Sequence, residues 1–358
     1  MSCLPDLQRL SGASARLCLK VEQFCTRHLA LPHASKLVLA VSGGADSVAL
    51  ACIFALLRPR LKLQLCALTV NHGLRKAAAD DADHAQAVCT ALAIPCTIST
   101  VDVSAMAQTR RCGLEEAGRT ARYDLLEEYR RMQRADFILL GHHAEDLSED
   151  IFLRLLRGAG WPALGGMVAR DDTRRLLRPL LQTSPAALKD LVCEMGLTWR
   201  EDESNTDLRF TRNRLRHTIL PLLRQENPAL EEHMARLWQF ARWDADFWEQ
   251  TLKKALLSHP PLEENTPDTR SITLSRALLH TLPPAVRLRL FHYTARRLYA
   301  ERNRRQQGQV RADTLIRLEE SLQAGRGNTC FQLPGGLHAA IRHGSVCFTI
   351  SRSDPAVV

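Results

Sequence analysis

None of the eleven cysteines stands in a CxxC arrangement; their number is odd and their spacing irregular. That argues against a disulfide framework, a zinc ribbon and an iron–sulfur site, and for reduced thiols. Cys52, Cys66 and Cys89 lie inside apolar runs, where free cysteine behaves as a small buried hydrophobe. Lysine is scarce: only seven of the 48 basic residues are lysines, and the formal charge is +9. Arginine is the better planar partner for phosphate, so a polyanionic partner is permitted, although charge alone does not establish one. No run approaches the roughly 18 apolar residues that a membrane-spanning helix needs. The opening segment carries Asp6, Arg9 and Arg16 where a signal peptide would be apolar. A soluble, cytoplasmic protein with no membrane partner is expected.

With 358 residues the chain can bury a substantial core and hold two or three domains. After an amphipathic helix near 14–30, strands are predicted at 36–41, 63–72, 96–101 and 136–141, most of them near-continuously apolar. Helical patterns near 47–58, 79–93 and 114–134 separate them. This alternation gives an α/β fold with a doubly wound parallel sheet, in which ligands bind beyond the carboxyl ends of the strands. From about 145 the pattern is mainly helical, with a long helix over 229–257 and another near 311–323. Residues 259–271, rich in Pro, Glu and Thr, read as a linker, and short strands at 330–334 and 346–350 flank Gly335-Gly336. The expected division is a nucleotide-binding domain over 1–225 and a mainly helical region over 226–358 that ends in a small β element.

The most informative residues are Ser42, Gly43, Gly44, Ala45, Asp46 and Ser47, between a strand and a helix. Two glycines allow close backbone approach to a phosphate, the helix N-terminus offers free N–H groups, and the serines add hydroxyls. The GxxxxGK[ST] spacing of a Walker loop and the GxGxxG of a dinucleotide fold are both absent. Asp46, a carboxylate beside an anion site, makes sense when a metal bridges it to phosphate, and Mg²⁺ is the best candidate. A glycine turn with a serine cap is the plain alternative, but it leaves the aspartate unexplained.

The loop resembles the SGGxDS loop of the PP-loop ATP pyrophosphatases, which implies cleavage of ATP between the α- and β-phosphates and adenylation of a substrate. Further segments resemble one branch, the tRNA(Ile)-lysidine synthases, and follow in that family's order. They are Asn71-His72-Gly73-Leu74-Arg75, the run 118–123 with Arg119, Arg122 and Tyr123, and Gly141-His142-His143-Ala144-Glu145-Asp146-Leu147-Ser148-Glu149-Asp150. Arg157-Gly158-Ala159-Gly160, Arg178-Pro179, and Trp199, Asp202, Ser204-Asn205 with Arg212-Asn213-Arg214-Leu215-Arg216 complete the series. The match spans about residues 36–225. Three positions depart from the family pattern: Glu145 stands for Asp, Leu147 for Gln and Asp150 for Thr.

The resemblance implies ATP on the loop at Ser42, Gly43, Gly44, Ala45, Asp46 and Ser47, with His72 and His142 also at the nucleotide and Mg²⁺ at Asp46. It implies a reaction in which L-lysine is joined to C2 of the wobble cytidine of tRNA(Ile) with a CAU anticodon. Asp46, Asp146, Glu149 and Arg212 are the expected catalytic residues. In a helix over 145–157, Asp146, Glu149 and Asp150 share a face that suits a lysine ammonium or a metal. Asp146 and Glu149 are taken as the lysine site, although a solvated first turn would show the same acids. Arg212 is expected at the α-phosphate or the charge developing at the base. A homodimer is an open arrangement. The rivals are tRNA thiolation, small-molecule adenylation and RNA binding without catalysis. Zinc on His72, His142 and His143 lacks a matching ligand set. Trp238, Trp243 and Trp248, five residues apart, do not share one helical face, which favours packing over base stacking.

Overall fold

The computed structural model describes residues 6–71, 73, 77–201, 208–299, 310 and 312–351. His72, Leu74, Arg75, Asp202, Ser204 and Asn205 lie outside them. The chain divides into two compact units, Met1–Ala159 with Leu164–Gln239, and Gly160–Ala163 with Phe240–Val358.

In the first unit, α1 (Gly12–Arg27) leads into β1 (Lys36–Ala40), α2 (Ala45–Leu61), β2 (Gln64–Asn71), α3 (Ala77–Ala91) and β3 (Cys96–Thr100). Then follow α4 (Val103–Arg110), α5 (Leu114–Met132), β4 (Phe137–Leu139), α6 (Ala144–Leu156), β5 (Arg170–Asp171) and β6 (Leu176–Leu177). The last helices are α7 (Pro185–Glu194), α8 (Thr211–Arg214), a π turn over Leu215–Ile219 and α9 (Leu220–Glu226). The sheet runs β3-β2-β1-β4-β6-β5, parallel except for the short edge strand β5. The expected doubly wound sheet is present, and the buried Leu176–Leu177 strand β6, the polar edge strand β5 and helices α4 and α7 are additions to it.

The central strands β1, β2 and β4 are covered on both faces, which is why they read as mainly apolar runs, whereas β3 at the edge is partly exposed. Leu37 and Leu39 face α2 and the helices beyond it, while Val38 faces Leu126 and Tyr129 of α5. Helix α2 is apolar on all sides and buried from Val48 to Leu57, as a central helix must be. Cys52 and Cys89 join this core, and Cys66 lies on the other face of the sheet. Burial pushes the Cys18, Cys25 and Cys52 thiols up to about 12. They therefore behave as packing residues rather than reactive thiols.

The arrangement places one topological feature at the centre of the fold. The chain leaves β1 toward β2 on one side, whereas β4 pairs with β1 on the other. The loops after β1 and β4 therefore flank the switch point, where ligands of open α/β sheets bind.

A 29-residue helix, α10 (Leu230–Ser258), passes from the first unit into the second. The second unit contains β7 (Leu262–Asn265), β8 (Thr269–Ser275), α11 (Arg276–Thr281), α12 (Pro284–Tyr299) and α13 (Ala312–Gln323). It closes with β9 (Thr329–Leu333), β10 (Leu337–Arg342) and β11 (Ser345–Ser351). Its antiparallel sheet, β7-β8-β11-β10-β9, shares a core with α12 and α13 built around Phe291 and Phe348. The region is mainly helical with a small β element, but the expected linker over 259–271 is a correction. It contains β7 and the start of β8, because a fully exposed edge strand such as β7 needs hydrogen bonds to its neighbour rather than apolar side chains. The three tryptophans separate as their spacing implies. Trp238 is buried and donates to the Met167 carbonyl at 2.9 Å, Trp243 is exposed, and Arg289 lies 3.9 Å over Trp248.

Candidate active site

The loop after β1 is held from several directions. Gly43 has φ +86°, and a Cβ there would lie 3.2 Å from the Asp81 carbonyl oxygen. The position therefore needs glycine on both backbone and steric grounds. The Arg200 N–H donates to the Gly43 carbonyl at 2.9 Å. Ser47 ties the turn: its hydroxyl donates to the Gly44 carbonyl at 2.8 Å and accepts from the Ser42 N–H at 3.1 Å. Gly44 caps α2 without a side chain, so no side-chain acceptor occupies the N–H groups of that first turn. The sequence thus leaves an open helix N-terminus at the switch point, which is an anion site. Gly141, just after β4, presses against this turn, since a Cβ there would lie 3.0 Å from the Asp46 carbonyl oxygen.

Asp46 projects from the first turn of α2 with its side chain partly exposed. Facing it is the start of α6. The backbone N–H of His143 donates to Asp146 Oδ2 at 3.1 Å, and its ring Nδ1 accepts from the Glu145 N–H at 3.2 Å. The reciprocal capping fixes Nε2 as the protonated nitrogen, 3.4 Å from Asp46 Oδ2 and 3.5 Å from Asp146 Oδ2. Burial disfavours a charged His143, but the two carboxylates outweigh it and hold its pKa above the ordinary value.

Asp146 and Glu149 turn to the same side, as the i, i+3 spacing required. Arg212 Nη2 lies 2.9 Å from Asp146 Oδ1, and its Nε lies 2.7 Å from Glu149 Oε2. Arg216 Nη2 lies 3.0 Å from the same Asp146 oxygen, and its Nε bonds Glu149 Oε1. Burial opposes ionisation of Asp146, yet His143, His142 and Arg212 bring its pKa down to about 2. Asp150 leaves this face and pairs with Arg154 at 2.7 Å. Leu147 points the other way, into the main core, so the apolar residue there is a packing residue.

Positive groups lie on the far side of His142. Arg178 Nε donates to His142 Nδ1 at 3.2 Å and its Nη1 to the Val168 carbonyl at 2.7 Å. Burial takes the His142 pKa down to about 3; Asp146 opposes this, while Arg178, Arg212 and Arg122 reinforce it. Arg122 is itself held below its ordinary value, by burial first and then by its arginine neighbours. Among the described residues no carboxylate pairs with it. A desolvated guanidinium with no carboxylate partner among the described residues favours an anionic ligand.

The family model for the PP-loop domain matches residues 15–223. A tRNA(Ile)-lysidine synthase of Nitratidesulfovibrio vulgaris is 45% identical over 324 residues, covering 87% of this chain and 91% of that protein. The chain belongs to the tRNA(Ile)-lysidine synthase family. The enzymes of that name from Geobacillus kaustophilus and Geobacter sulfurreducens are each 35% identical, and the chain spans about half their length, 52% in both. A U34-tRNA thiolase from Methanococcus maripaludis shares the fold, with a TM-score of 0.53 at 18% identity, over 63% of this chain and 78% of that one.

As a family member the chain is an ATP-utilising ligase of the PP-loop type. Ser42, Gly43, Gly44, Ala45, Asp46, Ser47, His142, Asp146, Glu149 and Arg212 all come to the switch point or its immediate surround. His72 lies outside the described residues. Three residues of weight were not among the expected site residues. His143, rather than His142, bridges Asp46 and Asp146; its signal is His-x-x-Asp at a helix start. Arg216, four residues beyond Arg212, makes the second set of bonds to the acid pair. Arg178 holds His142, and nothing local to it in sequence announces that contact.

The donor set fits Mg²⁺. Among the described residues no group of three or more metal-ligating side chains forms a protein cage. A single accessible carboxylate beside a phosphate site is what Mg²⁺ uses when it takes its remaining ligands from phosphate and water.

Proposed function

We propose that this chain joins L-lysine to C2 of the wobble cytidine of tRNA(Ile) with a CAU anticodon, consuming ATP and releasing pyrophosphate and AMP. The observation that carries this reading is the conjunction, at one switch point, of an open helix N-terminus for phosphate and a buried acid pair for an ammonium. The family's name and the 45% identical relative support it over thiolation or adenylation of a small molecule.

ATP lies with its β- and γ-phosphates on the loop Ser42–Ser47, where the N–H groups of α2 face the charge that develops on leaving pyrophosphate. Asp46 would hold Mg²⁺, which when bound neutralises phosphate charge, and His143 orients the Asp46 carboxylate. The cytosine O2 attacks the α-phosphorus, and Arg122 and Arg212 face the negative charge there. Lysine then attacks C2 of the adenylated base and AMP departs. Asp146, ionised down to about pH 2, is an anchor for the ammonium and a poor acceptor of its proton. Glu149, which projects from the same face, is assigned the proton. The anticodon loop is already single-stranded, so presenting its base avoids the cost of opening a duplex. Residues 226–358 are assigned to gripping the tRNA.

The test is AMP release with and without tRNA. Asp46→Asn is expected to lower tRNA-dependent AMP formation about 100-fold or more while tRNA binding, read by filter retention, stays within about twofold. Undiminished AMP formation in that variant would remove Asp46 from the nucleotide site.

A further inference from the structure

The acid pair assigned to the lysine ammonium is already filled. Asp146 Oδ1 receives Nη2 of both Arg212 and Arg216, and Asp146 Oδ2 receives the His143 N–H. Glu149 Oε2 receives Arg212 and Glu149 Oε1 receives Arg216. Each guanidinium spans both carboxylates, and every carboxylate oxygen of the pair has a donor. Two charges of each sign make a neutral quartet, so an incoming ammonium meets no net negative charge and must compete with two guanidinium groups for the carboxylates.

The two sides of the quartet are unequally accessible. The Glu149 side chain is 1% exposed and that of Asp146 11%, whereas those of Arg212 and Arg216 are 32% and 29% exposed. The arginines are therefore the solvent-facing half. Arg212 is tied to the phosphate loop through two contacts: Asp146, which it binds at 2.9 Å, lies 3.5 Å from His143 Nε2, which lies 3.4 Å from Asp46. Arg122 and His142 add positive and neutral neighbours to Arg212. Arg122 repels the guanidinium when no anion is there, and a polyphosphate seated on the loop attracts it. Breaking a buried ion pair is costly unless the displaced charge gains a new partner, and phosphate is a good bidentate one for arginine.

We propose that Arg212 and Arg216 form a latch over Asp146 and Glu149 that ATP phosphate draws off, so that lysine gains its site only after the nucleotide has bound. This inference rests on lysine being the second substrate. The order it imposes has a chemical use: lysine does not occupy the site of an enzyme without ATP. Arg216 acts here through the acid pair, as a gating residue.

The experiment is equilibrium dialysis of labelled L-lysine against the full chain, with and without the non-cleavable analogue α,β-methylene-ATP and Mg²⁺. The wild-type protein is expected to bind lysine about tenfold or more tightly with the nucleotide, a coupling in the ordinary allosteric range. Arg216→Gln leaves a net negative quartet. Lysine affinity without nucleotide is therefore expected to rise about tenfold, and the nucleotide effect to shrink to less than about threefold. A merely structural arginine would give the opposite sign, weaker lysine binding in both states. Equal wild-type affinity in the two states overturns the latch and leaves lysine as a substrate. Absence of lysine binding in both states, with the analogue itself bound, overturns the lysine reading as well. The wild-type comparison decides the question without the variant, should Arg216→Gln not fold.

Discussion

His142 and His143 are adjacent in sequence and opposite in charge behaviour, because one turns toward arginines and the other toward carboxylates. The sign of each effect on stability follows. A histidine held down at about 3 takes up its proton later than in the unfolded chain, so its contribution falls as pH drops below the ordinary 6.5. His143, held above 6.5, contributes most below that value and loses its contribution as pH rises through its own pKa. Asp146, lowered from 3.8 to about 2, loses its contribution only below 3.8. Between about pH 6.5 and about pH 5, His142 is therefore the group of the three that changes stability. The wild-type melting temperature is expected to fall across that window and His142→Gln to flatten the fall; parallel curves would refute a neutral, buried His142. The sequence reading put His142 at the nucleotide and gave His143 no role, because Arg178 and Asp46 reach them through tertiary structure.

Elements were legible where the chain speaks for itself. The four predicted strands became β1 to β4, and the i, i+3 spacing of Asp146 and Glu149 placed both on one face of α6. What the spacing did not show is the partner: Arg212 and Arg216 arrive from a helix and a π turn more than sixty residues later. Strand β7 was illegible for a related reason, since its side chains bury nothing and only its backbone pairing defines it. In the second unit, α12 and α13 are joined by the buried pair Arg287–Glu319, with Nε 2.8 and 2.9 Å from the two carboxylate oxygens. Arg287 Nη1 also donates to the carbonyls of Leu279 at 3.0 Å and Leu282 at 2.6 Å. Removing one partner of such a pair strands a buried charge, so Glu319→Ala is expected to destabilise the second unit by about 3–5 kcal/mol. Urea unfolding followed by Trp248 fluorescence measures it. A loss below about 1 kcal/mol would show that the pair behaves like a surface ion pair.

At the scale of the whole molecule, a net charge of +9 drawn almost entirely from arginine suits a polyanion. Among the described residues no helix is long and apolar enough to cross a membrane. Binding to tRNA is expected to weaken with salt, with a log–log slope of about −0.7 to −0.9 for each phosphate contacted. A slope near zero would deny the second unit an electrostatic role. The central claim is the reaction, and labelled L-lysine offered with an unmodified CAU-anticodon isoleucine tRNA tests it most directly. The account predicts ATP-dependent labelling of the tRNA that survives mild alkaline deacylation, because the new bond is carbon–nitrogen and not an ester. Label that is lost to alkali, or AMP release with no lysine incorporated, would contradict it.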